Sequence, residues 1–226
     1  MTGTKTMYDV AIVSSVYGQY DRLRPVFDQV GLSVEWVLVT DRAPNDPLGW
    51  RVVIEERPGV HPNRAAKKAK FLPWTYTEAY ASIWIDGSFQ VISPNFAREA
   101  IGYAKPIAQF KHPWRDCLYQ EAICTVAINR YAPQQSLIEE QSKFYRENGH
   151  PEHWGLWATG VIARYHTPSV RALGYSWMSD VNKWSFQDQV SQPYSLRQAR
   201  LYPECFPGDY FSSPWIRYMG HKHESG

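Results

Sequence analysis

The chain has 226 residues, of which 44% are hydrophobic and 20% charged. Those proportions suit a globular protein with a sizeable core, and exclude a disordered tail, a collagen-like rod or a small disulfide scaffold. Its 24 basic and 22 acidic residues leave a formal charge of +2, which gives no long-range field for nucleic acid but allows a local basic cleft for a small anion.

In chain order, Tyr8 to Val16 is β-branched and closed by Gly18, and reads as a buried first strand. Val34 to Thr40 reads as a second, stopped by Asp41 and the cluster Pro44-Asn45-Asp46-Pro47. Trp50 to Ile54 makes a short third. A helix capped by Asn63 is expected through Arg64, Lys67, Lys68 and Lys70 to Leu72, ending at Pro73. Next come the apolar runs Ala81 to Ile85 and Phe89 to Ile92, separated by Asp86-Gly87. Ser93-Pro94 opens a helix to Tyr103, with proline at its first position. Ile107 to Phe110 reads as a strand, and Trp114 to Ile128 as an amphipathic helix with Leu118, Ala122 and Val126 four apart. Ser136 to Asn148 has a capping box at Ser136 and Glu139 and Gly149 after its end. Leu156 to Tyr165 is strand-like, and helical segments at Val170 to Val181 and Phe186 to Gln192 follow.

This alternation predicts an α/β fold: a single domain over 1–226, with its core at about 8–200, a loose tail at 220–226 and a mostly parallel central sheet flanked by helices. The run Val10 to Val13 is too short for a signal-peptide core. No segment approaches the roughly 20 apolar residues of a membrane helix. Cys117, Cys124 and Cys205 are odd in number and lack a metal-binding spacing, so they read as reduced thiols. A cytoplasmic protein with no membrane partner is expected.

Neither GxGxxG, GxxxxGK[ST] nor GxSxG occurs, which leaves the common phosphate cradles and the serine-hydrolase elbow unsupported. Polar residues that follow strands are the remaining candidates, because open α/β sheets place ligands at that edge. Asp86-Gly87-Ser88 carries two readings. Asp-Gly between apolar runs is a hairpin signal, while an acid after a strand can hold a divalent cation against a diphosphate. Arg64, Lys67 and Lys68 share a helix face that is either solvated or phosphate-facing. His112, Arg115 and Asp116 form a polar cluster at a helix entrance, with Glu121 beyond. Ser185 with Asp188 fits a helix cap, whereas Asp188 as a sugar-binding or proton-accepting carboxylate is the chemical reading. His150 and His153 read as structural. With 10 Trp, 15 Tyr and 9 Phe, the aromatic side chains suit either a core or a surface that stacks on flat polar ligands.

Together these motifs resemble one family. Tyr17-Gly-Gln-Tyr20-Asp21-Arg22-Leu23, Thr40-Asp41, Lys67 with Lys70, Trp84-Ile-Asp86-Gly-Ser88 and His112-Pro-Trp-Arg115-Asp116-Cys-Leu-Tyr119-Gln-Glu121 occur in its order. Gln141, Tyr145, Gly149-His-Pro151 and Asp188-Gln189-Val-Ser191 complete the set. The family is a glycosyltransferase-like domain, long catalogued as a domain of unknown function, found in plant proteins that act on pectic and mucilage polysaccharides. The resemblance spans about residues 8–200. It implies a GT-A-like, Rossmann-related transferase moving sugar from a nucleoside diphosphate sugar, expected to be a UDP-sugar, to a hydroxyl on a glycan, protein or modified nucleic acid. An inactive sugar- or nucleotide-sugar-binding module is the alternative.

The resemblance also distributes roles. Val13, Ser14, Tyr17, Tyr20, Arg22, Asp41, Lys67, Lys70, His112 and Arg115 would contact the donor. Asp86 would bind Mn²⁺ or Mg²⁺, although Ser88 replaces the second carboxylate of a DxD motif and shifts reliance onto Lys67 or Arg115. Asp188, Gln189 and Asp116 would serve catalysis.

Overall fold

The computed structural model describes residues 8–18 and 20–221. Four strands run parallel: β1 (Val10–Val16), β2 (Val34–Thr40), β3 (Arg51–Ile54) and β4 (Ala81–Ile85). Three more, β6 (Ile107–Lys111), β7 (Trp157–Tyr165) and β8 (Glu204–Cys205), complete a seven-stranded sheet in the order β3-β2-β1-β4-β7-β6-β8. Only β7 runs against its neighbours, pairing antiparallel with β4 and β6. Two short strands, β5 (Phe89–Val91) and β9 (Ile216–Tyr218), pair apart from it.

Period-two alternation in β1 sends side chains to opposite faces. Ala11 and Val13 join the larger core under helices α1 (Pro62–Phe71), α3 (Leu118–Val126), α4 (Gln135–Glu147), α5 (Pro168–Lys183) and α6 (Asp188–Gln198). Val10 and Ile12 face α2 (Phe96–Tyr103) and the C-terminal residues Phe206, Trp215 and Ile216. The chain is thus a mixed α/β domain with a mostly parallel sheet covered on both faces, the fold class its alternation predicts. No helix among the described residues is long and apolar enough to cross a membrane.

Local signals misled where tertiary partners offered more. Asp86-Gly87 does not close a hairpin: β4 is flanked by β1 and β7, and the chain turns there into β5. The Phe89 amide donates to the Asp86 carbonyl at 3.0 Å, and the Asp86 amide to Gly160 at 2.9 Å. Helix α1 is capped by the His61 imidazole rather than by Asn63, and α4 begins without a side-chain cap. Pro94 precedes α2, which starts at Phe96. Residues 112–117 stay outside α3, because the His112 Nδ1 accepts from the amides of Trp114 and Arg115 at 3.4 and 3.1 Å and holds a turn. The Ser185 hydroxyl donates to Gln141 at 2.9 Å and so does not cap α6. His221, expected in a loose tail, docks on Asp21 at 2.9 Å, and residues 222–226 lie outside the described residues.

Candidate functional site

Because β1 and β4 are parallel, the loops that follow them open at one edge, and β7 brings its N-terminal half to the same place. A cavity of about 360 Å³ lies there. Its floor holds two acids from distant parts of the chain. Asp86 follows the last residue of β4, and Asp188 is the first residue of α6. Between them stands Lys70 from α1, only 1% exposed, with its Nζ 2.6 Å from Asp188 Oδ2 and 3.4 Å from Asp86 Oδ1. Lys67, one turn earlier, reaches the same Asp188 oxygen at 3.1 Å. Trp84 Nε1 donates to Asp86 Oδ1 at 2.6 Å.

The electrostatics follow from this packing. Burial alone would push the Asp188 carboxyl up, but Lys67 and Lys70 outweigh it and hold it below the usual aspartate range. Asp188 is therefore ionised and a weak proton acceptor. Arg164 on β7, fully buried, donates to the Lys70 carbonyl and, at 3.5 Å, to Ser82. Burial pushes its guanidinium down to about 9. A cation at the carboxyl end of α1 suits the helix dipole and fixes the turn that carries Lys70.

A second polar network lies across the cavity. Glu121, buried in the first turn of α3, accepts from Arg115 Nε at 2.6 Å, and its other oxygen accepts from Gln189 at 3.3 Å and Thr125 at 3.4 Å. Gln189 in turn accepts from the Thr159 amide at 3.4 Å. Burial, aided by Arg115, pushes His112 down to about 4, so its imidazole is neutral at physiological pH. The third wall carries Tyr17 and Tyr20; the Tyr17 hydroxyl is buried without a hydrogen-bond partner among the described residues.

Tyr17, Tyr20, Lys67, Asp86, His112, Arg115, Asp188 and Gln189 thus line one cavity, and Lys70 lies just beneath it. The other candidates stand elsewhere. Val13 is wholly buried in the core, and the Ser14 hydroxyl donates to the Ile85 carbonyl at 2.8 Å beneath the strand ends. Arg22 lines a separate small recess beside Trp36 and Trp50. Asp41 accepts from the Gly18 amide at 3.0 Å and so orders the loop after β1. Asp116 does not reach the cavity; its exposed carboxylate pairs with His153 at 2.6 Å. Of the basic face on α1, only Lys67 lines the cavity. Arg64 binds carbonyls at the end of α5, and Lys68 pairs with Glu55 at 2.8 Å. Glu121, noted beyond the His112 cluster, lines it too, as do Arg130, Gln187 and His221, which no local pattern singles out. An arginine within the apolar run Val161 to Tyr165 was the one available sign of Arg164.

The donor set around Asp86 does not suit a divalent ion. Its Oδ1 already receives an indole N–H and an ammonium, and Ser88 supplies no second carboxylate. No group of three or more His, Cys, Asp or Glu among the described residues is placed to hold a metal.

His221 joins the cavity wall through a titratable contact. His221 faces Asp21, with Asp86, Arg130 and Tyr20 around it, and its hydrogen bond to Asp21 raises its pKa above the ordinary histidine value. A raised folded value gives stabilisation that is complete below about 6.5, the unfolded value, and lost as pH rises through the folded one. Denaturation midpoints measured from about pH 5 to about pH 9 should therefore show a loss that Asp21→Asn abolishes. An identical pH dependence in that variant would assign the loss to another group.

No curated protein matches the chain. The family model for the TOD1/MUCI70, glycosyltransferase-like domain matches residues 38–207, a span that runs from within β2 past β8 and includes both acids, both lysines and the Arg115–Glu121–Gln189 network. The chain belongs to the TOD1/MUCI70 glycosyltransferase-like domain family.

Proposed function

We propose that the chain transfers a glycosyl unit from a nucleoside diphosphate sugar, a UDP-sugar in our reading, to a hydroxyl acceptor. The observation that carries this is the meeting of Asp86, Asp188, Lys67 and Lys70 at the strand edge of a glycosyltransferase-like domain. Breaking the bond between anomeric carbon and diphosphate puts negative charge on the leaving oxygen, while the acceptor hydroxyl forms the new bond to that carbon and its proton passes to the departing diphosphate or to water. Positive groups held in a water-poor cleft stabilise that charge. Lys67 and Arg115 line the cleft, and Lys70 adds its charge from below. Asp188 holds the two ammonium groups in place, and Gln189, fixed by Glu121 and Thr159, is set to bind a sugar hydroxyl. Tyr20 offers its ring to the nucleoside, and Tyr17, buried behind it, backs the same wall. These ammonium and guanidinium groups meet the diphosphate where the donor set at Asp86 is unsuited to a divalent ion.

Lys67→Ala and Arg115→Ala should each weaken UDP binding tenfold or more, about 1.4 kcal/mol, measured below the melting temperature of each variant, because each change also strips a partner from a buried carboxylate. Removing divalent ions with a chelator should leave UDP affinity as it was. Calorimetric titration checks both. Unchanged affinity in both variants, or affinity abolished by chelation, would overturn the reading of the charged cluster. UDP release from a panel of UDP-sugars then separates a transferase from an inactive binding module, which would bind donor and release nothing.

A further inference from the structure

The cavity is chemically lopsided along the sheet edge. Tyr17 follows β1, Asp86 follows β4, Thr159 lies in β7, and Trp114 follows β6. β1 and β6 are three strand positions apart, about 14 Å. Tyrosines and lysines occupy the β1 end. At the β6 end stand rings exposed to water: Trp114 is 67% exposed, Phe211 49% and Tyr218 37%. Leaving three large rings exposed together at the mouth of a polar cavity forgoes their burial.

These rings are also held in position. Trp114 and Phe211 lie 5.7 Å apart at 39°, Phe211 and Tyr210 4.3 Å apart at 40°, and Phe211 and Tyr218 5.6 Å apart at 85°. Trp114 is braced from below by His112 at 5.7 Å and by the Arg115 guanidinium at 5.9 Å. A preformed platform loses little side-chain freedom when it binds. Polar groups of Arg115 and Gln189 line the same cavity inward of it.

We propose that Trp114, Phe211 and Tyr218 are the acceptor platform of the cavity, stacking the apolar C–H face of a pyranose ring in an oligosaccharide. Its hydroxyls turn inward to Gln189, beside the Arg115 that meets the diphosphate. The assignment rests on the transferase reading above, and adds to it which end of the cleft receives the acceptor and which residues select it. A pyranose is flat, apolar on its C–H face and ringed by hydroxyls, which matches exposed rings beside a polar interior. A nucleic acid acceptor would instead need basic side chains following its phosphates, and the chain's +2 charge does not supply them. The nucleoside is placed at the β1 end, where the lysines meet its diphosphate.

The test uses the whole chain saturated with UDP on an array of immobilised pyranose oligosaccharides, with peptides and oligonucleotides alongside. Oligosaccharides should be retained by the wild type. Trp114→Ala and Phe211→Ala should each weaken retention at least fivefold, Trp114→Tyr should keep most of it, and UDP affinity should stay within twofold throughout. Both alanine variants change exposed side chains, so the fold survives. The assignment fails if oligosaccharides bind equally well without the rings, if only peptides or oligonucleotides are retained, or if UDP affinity falls in parallel. UDP affinity, titrated separately, also keeps the two proposals apart. A wild type that ignores UDP but holds sugars through Trp114 defeats the donor reading and not the platform.

Discussion

Asp188→Asn is expected to fold, to bind UDP at least as tightly as the wild type, and to lose transfer by about 10²–10³-fold, the range for losing one preorganised contact to the developing charge. Asparagine keeps an oxygen near Lys67 and Lys70 but removes the negative charge that brings both to one point. Lys67 lies at the cavity and can turn to water. Lys70 cannot, being 1% exposed, and its remaining carboxylate among the described residues is Asp86 at 3.4 Å. Losing one partner of a buried pair costs about 3–5 kcal/mol when the other charge is stranded. Because Asp86 remains, the loss should sit at or below the lower end of that range. The freed positive charge favours an anionic ligand, which is why UDP affinity should hold while turnover falls.

The same pair sets a pH dependence. Asp188 has a depressed folded value, so its contribution is complete above the unfolded value of about 3.9 and disappears as pH falls through the folded one. Acid unfolding should begin at higher pH in Asp188→Ala, whose stability at neutral pH is already reduced, and the steepness contributed by this group should vanish. An ionised Asp188 also contributes no acid limb to the transfer rate near neutrality. Near-wild-type turnover by a folded Asp188→Asn protein would show that this carboxylate is structural.

The elements legible in the sequence were those decided by local pattern alone. Strand β2 ends where the Pro44 to Pro47 cluster predicts, and Gly149 takes φ +72° just after α4, a left-handed turn that glycine adopts without a Cβ penalty. Asp86 and Asp188 were separable from hairpin and cap only through the motifs of the family. Their local signals pointed the other way, and partners 16 to 121 residues distant in sequence decided the outcome. Asp86 meets Gly160 and Lys70, and Asp188 meets Lys67 and Lys70. Arg164 carries no motif at all, since it is held by a backbone carbonyl 94 residues away and by Ser82. The two- and three-residue strands β8 and β9 are too short to show any period, yet β9 helps position the cavity wall by pairing with β5.

Gly174→Ala is expected to reverse the usual effect of its substitution. Within a helix, alanine is favoured over glycine by about 0.8–1 kcal/mol, and Gly174 stands in the middle of α5. Judged on propensity, the change should stabilise. The space around it says otherwise. A Cβ there would fall against the Phe71 carbonyl oxygen, 2.6 Å from the Trp74 ring and 3.2 Å from Leu72. Backbone cannot rotate away, so α5 must separate from the end of α1. Overpacking of this kind costs about 1–3 kcal/mol, and it outweighs the propensity gain. The end of α1 that must move carries Lys70, pinned from the other side by Arg164. Gly174→Ala should therefore lower the melting temperature and also weaken UDP binding, although no atom of Gly174 lines the cavity. Serine, slightly larger, should do more of both. A stabilised Gly174→Ala protein with unaltered UDP affinity would mean that α1 and α5 have room to spare, and that the lysine cluster does not depend on their contact.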